Sequence, residues 1–203
     1  ISAMQMIFSS VYGTYLNIKA KILNFKIAKF VAFGGLCGAT FSGFIVHSLQ
    51  PIYLEIAFIL ICIYSLFKNI KQKSEIKSTK NNIPKEFILF IVGFVTGIFA
   101  ISLGIGGGLI IVPAVAYYLN IPTKQVVPIS LFFVIFSSLS GTISLAINGY
   151  ANYKEGFIVG IFSLFGVYIG TQINKKMSNR FHKNAVTILY LIVLAVMIKN
   201  IIS

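Results

Sequence analysis

The sequence predicts an all-α polytopic membrane protein built as two inverted-topology repeats, with a Gly-broken helical hairpin opening the second. Three observations predict it. Of 203 residues 57% are apolar and only 10% charged, and the mean hydropathy is +0.91. A soluble domain carries about 25% charged residues, so there is too little polar surface to coat a water-soluble globule of this size. Apolar runs near spanning length recur along the whole chain. The chain also repeats itself at a fixed spacing.

The runs read as 1–16, 27–46, 52–68, 86–104, 106–119, 127–148, 156–173 and 184–202. A bilayer span needs about 20 mostly apolar residues. Six of the runs come near that length; 1–16 is cut short by the chain start, and 106–119 is too short to cross. The first run lacks the basic start and the cleavage pattern of a signal peptide. One polar linker, 69–85, carries or adjoins Lys68, Lys71, Lys73, Lys77, Lys80 and Lys85. It divides the membrane domain into a first repeat, 1–68, and a second, 86–203.

At a spacing of 128 residues Ile1-Ser2 falls on Ile129-Ser130, Phe8-Ser9-Ser10 on Phe136-Ser137-Ser138, Gly13-Thr14 on Gly141-Thr142, and Gly38 on Gly166. Three extra residues then enter, and Lys68-Asn69-Ile70 matches Lys199-Asn200-Ile201 at a spacing of 131. Internal duplication is a common way to build a transporter. Residues 86–128 have no counterpart before Ile1. The repeat therefore predicts an N-terminally incomplete first half, with about 40 further residues and a second Gly-rich segment upstream.

Loops rich in Lys and Arg stay in the cytoplasm. Lys19, Lys21, Lys26 and Lys29 flank the first loop, six lysines mark the linker, and Lys175, Lys176, Arg180 and Lys183 mark the last loop. The loop 47–51 has no basic residue, and 149–155 has one Lys against one Glu. Equivalent loops of the two repeats thus face opposite sides. This orientation requires 86–128 to cross an even number of times. The apolar stretch 86–119 has 34 residues, and two full crossings need about 40. A hairpin bent at 104–108 with a shortened arm fits.

That bend reads Ser102-Leu103-Gly104-Ile105-Gly106-Gly107-Gly108, then Pro113. Consecutive glycines disfavour a continuous helix and permit positive φ. Broken backbone at membrane depth is tolerated only where protein or an aqueous cavity covers it. A helix resuming after Gly108 points its partly positive N-terminus and free N–H groups at the break, which suits an anion. The other reading of these glycines is close helix packing, as for Gly93/Gly97 and Gly104/Gly108. No strand precedes them, so a dinucleotide site is a poor reading.

Hydroxyls form rows: Ser130, Ser137, Ser138, Ser140 and Thr142 on one helix, with Ser2, Ser9, Ser10 and Thr14 as mates. Ser130 and Ser137 share a face, as do Ser2 and Ser9. Such residues either line a pathway or bond back to their own helix. Candidate substrate contacts are Ser2, Ser9, Ser102, Gly104, Gly106, Gly107, Gly108, Pro113, Ser130 and Ser137. Gly34, Gly38 and Ser42 on one helix, and Gly156, Gly160, Gly166 and Gly170 on its mate, read as packing stripes. Cys37 and Cys62 read as small apolar fillers, His47 and His182 lie at membrane edges, and Tyr117, Tyr118, Tyr150 and Tyr153 read as interfacial anchors.

Several functions are disfavoured. Only four acids exist, Glu55, Glu75, Glu86 and Glu155, and there is no Asp. Neither a carboxylate metal cluster nor a paired-acid hydrolase can be assembled, and the Cys and His residues lack zinc spacing. No nucleophile–base pair suggests an enzyme, and no cofactor is called for. The net charge of +13 lies in short loops between apolar runs, which argues against nucleic acid as partner. No Lys, Arg, Asp or Glu sits in the middle of a span, so a proton relay through a buried acid is disfavoured. The expected partners are a small anionic substrate and the lipid bilayer; the sequence is compatible with a homo-oligomer.

The segment from Gly93 to Gly141 resembles the sulfite exporter TauE/SafE family, also called the toluene-sulfonate uptake permease family. The resembling features are Gly93-x3-Gly97, Gly104-Ile105-Gly106-Gly107-Gly108, Pro113 five residues on, and Ser130-Leu131 after a short loop. The resemblance covers nearly the whole chain, with the family's first Gly-rich segment absent. It implies a secondary, multi-pass inner-membrane permease for sulfur-containing anions such as sulfite and sulfonates. Many members have Thr-Ser-Leu where this chain has Ile129-Ser130-Leu131, and Ile1-Ser2-Ala3 in the first repeat. The competing expectation is a membrane chaperone or assembly factor that only packs against partners. A transporter calls for a polar-lined cavity at 106–108, an assembly factor for tight apolar packing there.

Overall fold

The computed structural model describes residues 1–48, 50–71, 85–149 and 153–202. Most of the basic linker (72–84), and Tyr150 in the loop 149–155, therefore lie outside the described residues. These residues form nine helices: α1 (Ser2–Lys19), α2 (Phe25–Thr40), α3 (Ser42–Ser48), α4 (Pro51–Lys71), α5 (Lys85–Ser102), α6 (Gly108–Leu119), α7 (Thr123–Ile147), α8 (Tyr153–Lys176) and α9 (Asn179–Ile202). No strand occurs among the described residues. The protein is an all-α, multi-pass membrane protein. Four stretches are long and apolar enough to cross a bilayer: Phe25–Ser48, Thr123–Ile147, Lys154–Lys176 and Asn179–Met197.

Several boundaries differ from the sequence reading; α9, for one, begins at Asn179 rather than 184. The run 27–46 is not one straight span: Phe41 interrupts it between α2 and α3. Its freed backbone is satisfied from α7, where Ser144 Oγ donates to Thr40 O (2.7 Å) and accepts from Gly43 N–H (3.0 Å). Within α2 and α3, Ser42 Oγ donates to Ala39 O at 2.6 Å. The run 127–148 begins earlier, at Thr123, and Pro128 lies inside α7. Asn120 in the left-handed conformation ends α6, and Pro122 forms the N-cap of α7; both residue types suit those positions.

Glycines decide the closest packing. α2 lies along α5 and α7, and α1 lies along α7 and α8. A Cβ at Gly34 or Gly38 would overlap the Phe90 or Phe94 carbonyl of α5, and one at Gly93 or Gly97 would overlap the Val31 or Gly35 carbonyl of α2. The two small-x3-small stripes thus meet backbone to backbone. On α8, Gly156 packs against Met4 and Gly160 against Phe8. Gly166 and Gly170 depart from the packing reading: both are exposed, and nothing lies within 4 Å of a Cβ built at either.

Two apolar cores result. The larger joins α1, α2, α5, α6 and α7 through Val31, Leu89, Ile111, Val115, Ile129 and Phe133. The smaller joins α4 and α9 through Phe58, Cys62, Tyr190 and Leu194, with Leu103, Ile105 and Leu109 packed against it. The segment between α5 and α6 lies between the two.

Candidate functional site at the α5–α6 break

Three glycines in the break take positive φ: Gly104 (67°), Gly106 (77°) and Gly107 (69°). L side chains rarely adopt that region, so the sequence of the break follows from its backbone path. The path closes on α5: Ile105 and Gly106 N–H both donate to Ala100 O, at 2.9 and 3.4 Å. Gly107 is the N-cap of α6, and its carbonyl accepts from Ile110 and Ile111 N–H at 3.0 and 2.8 Å. The N–H groups of Gly107, Gly108 and Leu109 have no acceptor among the described residues. They are the orphan donors of a helix start.

The walls differ from residue to residue. A Cβ at Gly104 would lie 2.7 Å from Ser2 Oγ, and one at Gly106 would lie 3.3 Å from Met6 Sδ, both on α1. A Cβ at Gly107 would lie 2.6 Å from Phe133 Cε1 on α7 and 3.2 Å from Thr96 Cγ2 on α5. At Gly108 nothing lies within 4 Å. So 104 and 106–107 are sealed by packing, while the first residue of α6 faces open space. A cavity of about 260 Å³ abuts α6 and is lined by Ser65, Val92, Thr96, Ile110 and Pro113 among others. Its walls are mostly apolar, and it touches α6 at Ile110 and Pro113 rather than at 106–108, so it is not the polar-lined cavity expected of a transporter at those glycines. A larger groove of about 510 Å³, lined by Leu36, Thr40, Phe44, Ser140, Ser144 and Asn148 among others, lies between α2, α3 and α7, away from the break.

The structure brings Ser2 to Gly104 and places Ser102 at the end of α5. It does not leave most candidate hydroxyls with a proton to offer. Ser9 Oγ donates to Gln5 O and Met6 O (3.2 Å each), Ser130 to Val127 O (2.9 Å), Ser137 to Val134 O (3.4 Å), and Ser102 to Ile98 O (2.8 Å). These are bonds back to the residues' own helices. Buried Thr14 Oγ1 and Thr142 Oγ1, repeat mates, have no partner among the described residues. Toward an anion, the donors left at the break are therefore backbone N–H groups and the Ser2 hydroxyl, which donates to no acceptor among the described residues. Among the described residues no three of His, Cys, Asp and Glu come together as a metal site.

Sequence reasoning missed Tyr190, which is fully buried and whose phenol donates to Leu109 O in the first turn of α6. A signal existed. Pro113 has no N–H, so the carbonyl four residues earlier must find another donor. It also missed the loop-side cap of α8: Lys124 Nζ donates to Lys175 O (3.1 Å) and Met177 O (2.6 Å), beside the Thr123 Oγ1–His182 Nδ1 contact at 3.1 Å.

Comparison with known proteins matches the sulfite exporter TauE/SafE family over residues 1–197. The chain is 28% identical over 200 residues to the probable membrane transporter protein YunE of Bacillus subtilis (strain 168), covering 88% of this chain and 72% of that protein. It is 28% identical over 190 residues to the probable membrane transporter protein MJ0441 of Methanocaldococcus jannaschii, covering 87% of this chain and 69% of that protein. No solved structure matches.

Proposed function

Because the chain belongs to the sulfite exporter TauE/SafE family, we propose that it is a secondary permease for a small anion, a sulfur oxyanion or organosulfonate of the sulfite type. One observation carries the reading: three unpartnered backbone N–H groups open α6, beside the unobstructed Gly108. Pyramidal sulfite and tetrahedral sulfonates each present three acceptor oxygens, which several N–H donors can match. A helix N-terminus contributes about 0.3–2 kcal/mol to an anion, depending on burial, and bonds to a charged acceptor are about twice as strong as neutral ones. Weak, reversible attachment of this kind suits a carrier that must release its cargo. Gly104 and Gly106 let the chain turn; Ser2 and Ser102 flank the turn; Pro113 lies inside α6, one turn beyond the free N–H groups. Ser9, Ser130 and Ser137 join only if their hydroxyls leave their own helices.

The two repeats are read as inverted, with the linker and the loop 175–183 cytoplasmic, in a bacterial inner membrane. The lysine distribution supports this, as does an exchange of partners: α1 packs on α8, while its repeat mate α7 packs on α2. Cysteines introduced into the two basic loops should label from the same face of the membrane; labelling from opposite faces contradicts the arrangement. The function itself is tested by uptake of radiolabelled sulfite and sulfonates into proteoliposomes containing the full chain. Saturable uptake of at least one, competed by another, is expected. Uptake of none would favour the assembly-factor reading.

A further inference from the structure

The α6 half-helix carries a defect of its own making. Pro113 is its sixth residue, and the proline lacks the N–H that would bond Leu109 O. In a bilayer no water can satisfy that carbonyl. The phenol of Tyr190, from α9, donates to it across 81 residues of sequence. Tyr190 is 0% exposed, and the buried Ser65 of α4 lies beside the phenol. The phenol therefore ties α9 to the first turn of α6.

Leu109 and Ile111 anchor this turn in the two cores, but one side of it is open at Gly108, and the 260 Å³ cavity abuts Ile110 and Pro113. Leu109 also supplies one of the three free N–H groups, so the residue whose carbonyl Tyr190 grips is the residue that faces the break. The repeat offers no equivalent. At the spacing of 131, the mates of Tyr190 and Ser65 are Ile59 and Val196, both apolar, so helix packing alone did not require a hydroxyl at either place. We infer that Tyr190 is a positioning residue: its hydroxyl fixes the first turn of α6 and thereby aims the N–H groups of Gly107, Gly108 and Leu109 at the anion. The inference rests on the anion-site reading above for its consequence, but not for the bond itself.

The test is a double-mutant cycle on the full chain. Tyr190→Phe keeps the ring and removes the donor. Pro113→Ala returns an N–H to the helix, which can then bond Leu109 O without the phenol. In proteoliposomes, Tyr190→Phe should raise the half-saturation concentration for sulfite about 2- to 12-fold, the range one hydrogen bond covers, with the maximum rate per folded protein within about twofold. Tyr190→Phe/Pro113→Ala should return to within about twofold of Pro113→Ala alone. An unchanged half-saturation in Tyr190→Phe, or a double variant no better than it, overturns the inference. Hydrogen exchange of the amides at 107–111 gives a readout independent of flux: faster in Tyr190→Phe, restored in the double variant. If wild-type protein carries no sulfur anion, the permease reading falls and exchange alone decides the role of Tyr190; unchanged exchange refutes it. If Tyr190→Phe fails to fold but the double variant folds, the bond is supported. If neither folds, the hydroxyl serves something other than Leu109 O, and the inference is wrong.

Discussion

The pair α7–α2 and the pair α1–α8 correspond to each other at the sequence spacing of 128, yet they are held by different means. Between α7 and α2 the contact is polar and close: Ser140 donates to Leu36 O at 3.0 Å and Ser144 to Thr40 O at 2.7 Å. At the spacing of 128 the mates of those serines are Tyr12 and Leu16. Between α1 and α8 the contact is apolar, with Phe8 edge-on to Phe157 at 5.3 Å and Gly160 under Phe8. The glycine stripes diverge as well. Gly38 of α2 is pressed on α5, while its mate Gly166 of α8 meets nothing and sits beside Phe162 and Phe165, each 70% exposed. The same small residue at the same register is structural in one pair and idle in the other. A stripe acquires meaning from the helix laid against it, not from its spacing.

Substitution at the two mates should break this comparison most sharply. Gly38→Leu drives a side chain into the Phe94 carbonyl and should cost at least ~3 kcal/mol in denaturant midpoint of the purified protein. Full stability would mean that α2 and α5 are not in backbone contact. The α7–α2 hydroxyl bridge comes next. Ser144→Ala leaves Gly43 N–H and Thr40 O unpaired at the Phe41 interruption and should cost about 1–3 kcal/mol. Ser130→Ala removes a hydroxyl already spent on Val127 O, and flux should stay within about twofold, since a neutral bond contributes about 0.5–1.5 kcal/mol net. Gly166→Leu should cost no stability and gain up to about 1 kcal/mol from helix propensity. A loss above ~2 kcal/mol there would show that a partner covers the α8 face in the membrane.

The helices and the break were legible because they rest on local signals: apolar runs, punctuating loops, and three glycines in a row. The Gly34/Gly38 and Gly93/Gly97 pairs were legible as packing surfaces, but not as facing each other. The interruption at Phe41 was not legible, since Thr40-Phe41-Ser42-Gly43 continues an apolar run and its stabilising Ser144 lies 101 residues away. The hydroxyl rows were legible as rows, but not as to where they bond; Ser9, Ser130 and Ser137 turn to their own helices. Tyr190 was half legible: Pro113 announces an unpaired carbonyl at Leu109, and only the fold says which side chain reaches it.

Gly108 offers the most direct test of the anion site. Gly107→Val would push a side chain toward Phe133 at a residue with φ of 69°, so lost transport there could reflect lost folding. Gly108 has neither constraint: its φ is not positive, and nothing stands within 4 Å of its Cβ. Leucine there favours the helix by up to about 1 kcal/mol over glycine while standing over the free N–H groups. The measurement is sulfite and sulfonate flux into proteoliposomes carrying Gly108→Leu, with the fold verified by size-exclusion and denaturant midpoint. The account predicts a well-folded protein whose flux falls at least about tenfold, equivalent to about 1.4 kcal/mol. A well-folded Gly108→Leu protein that transports at the wild-type rate would show that the anion does not bind at the start of α6.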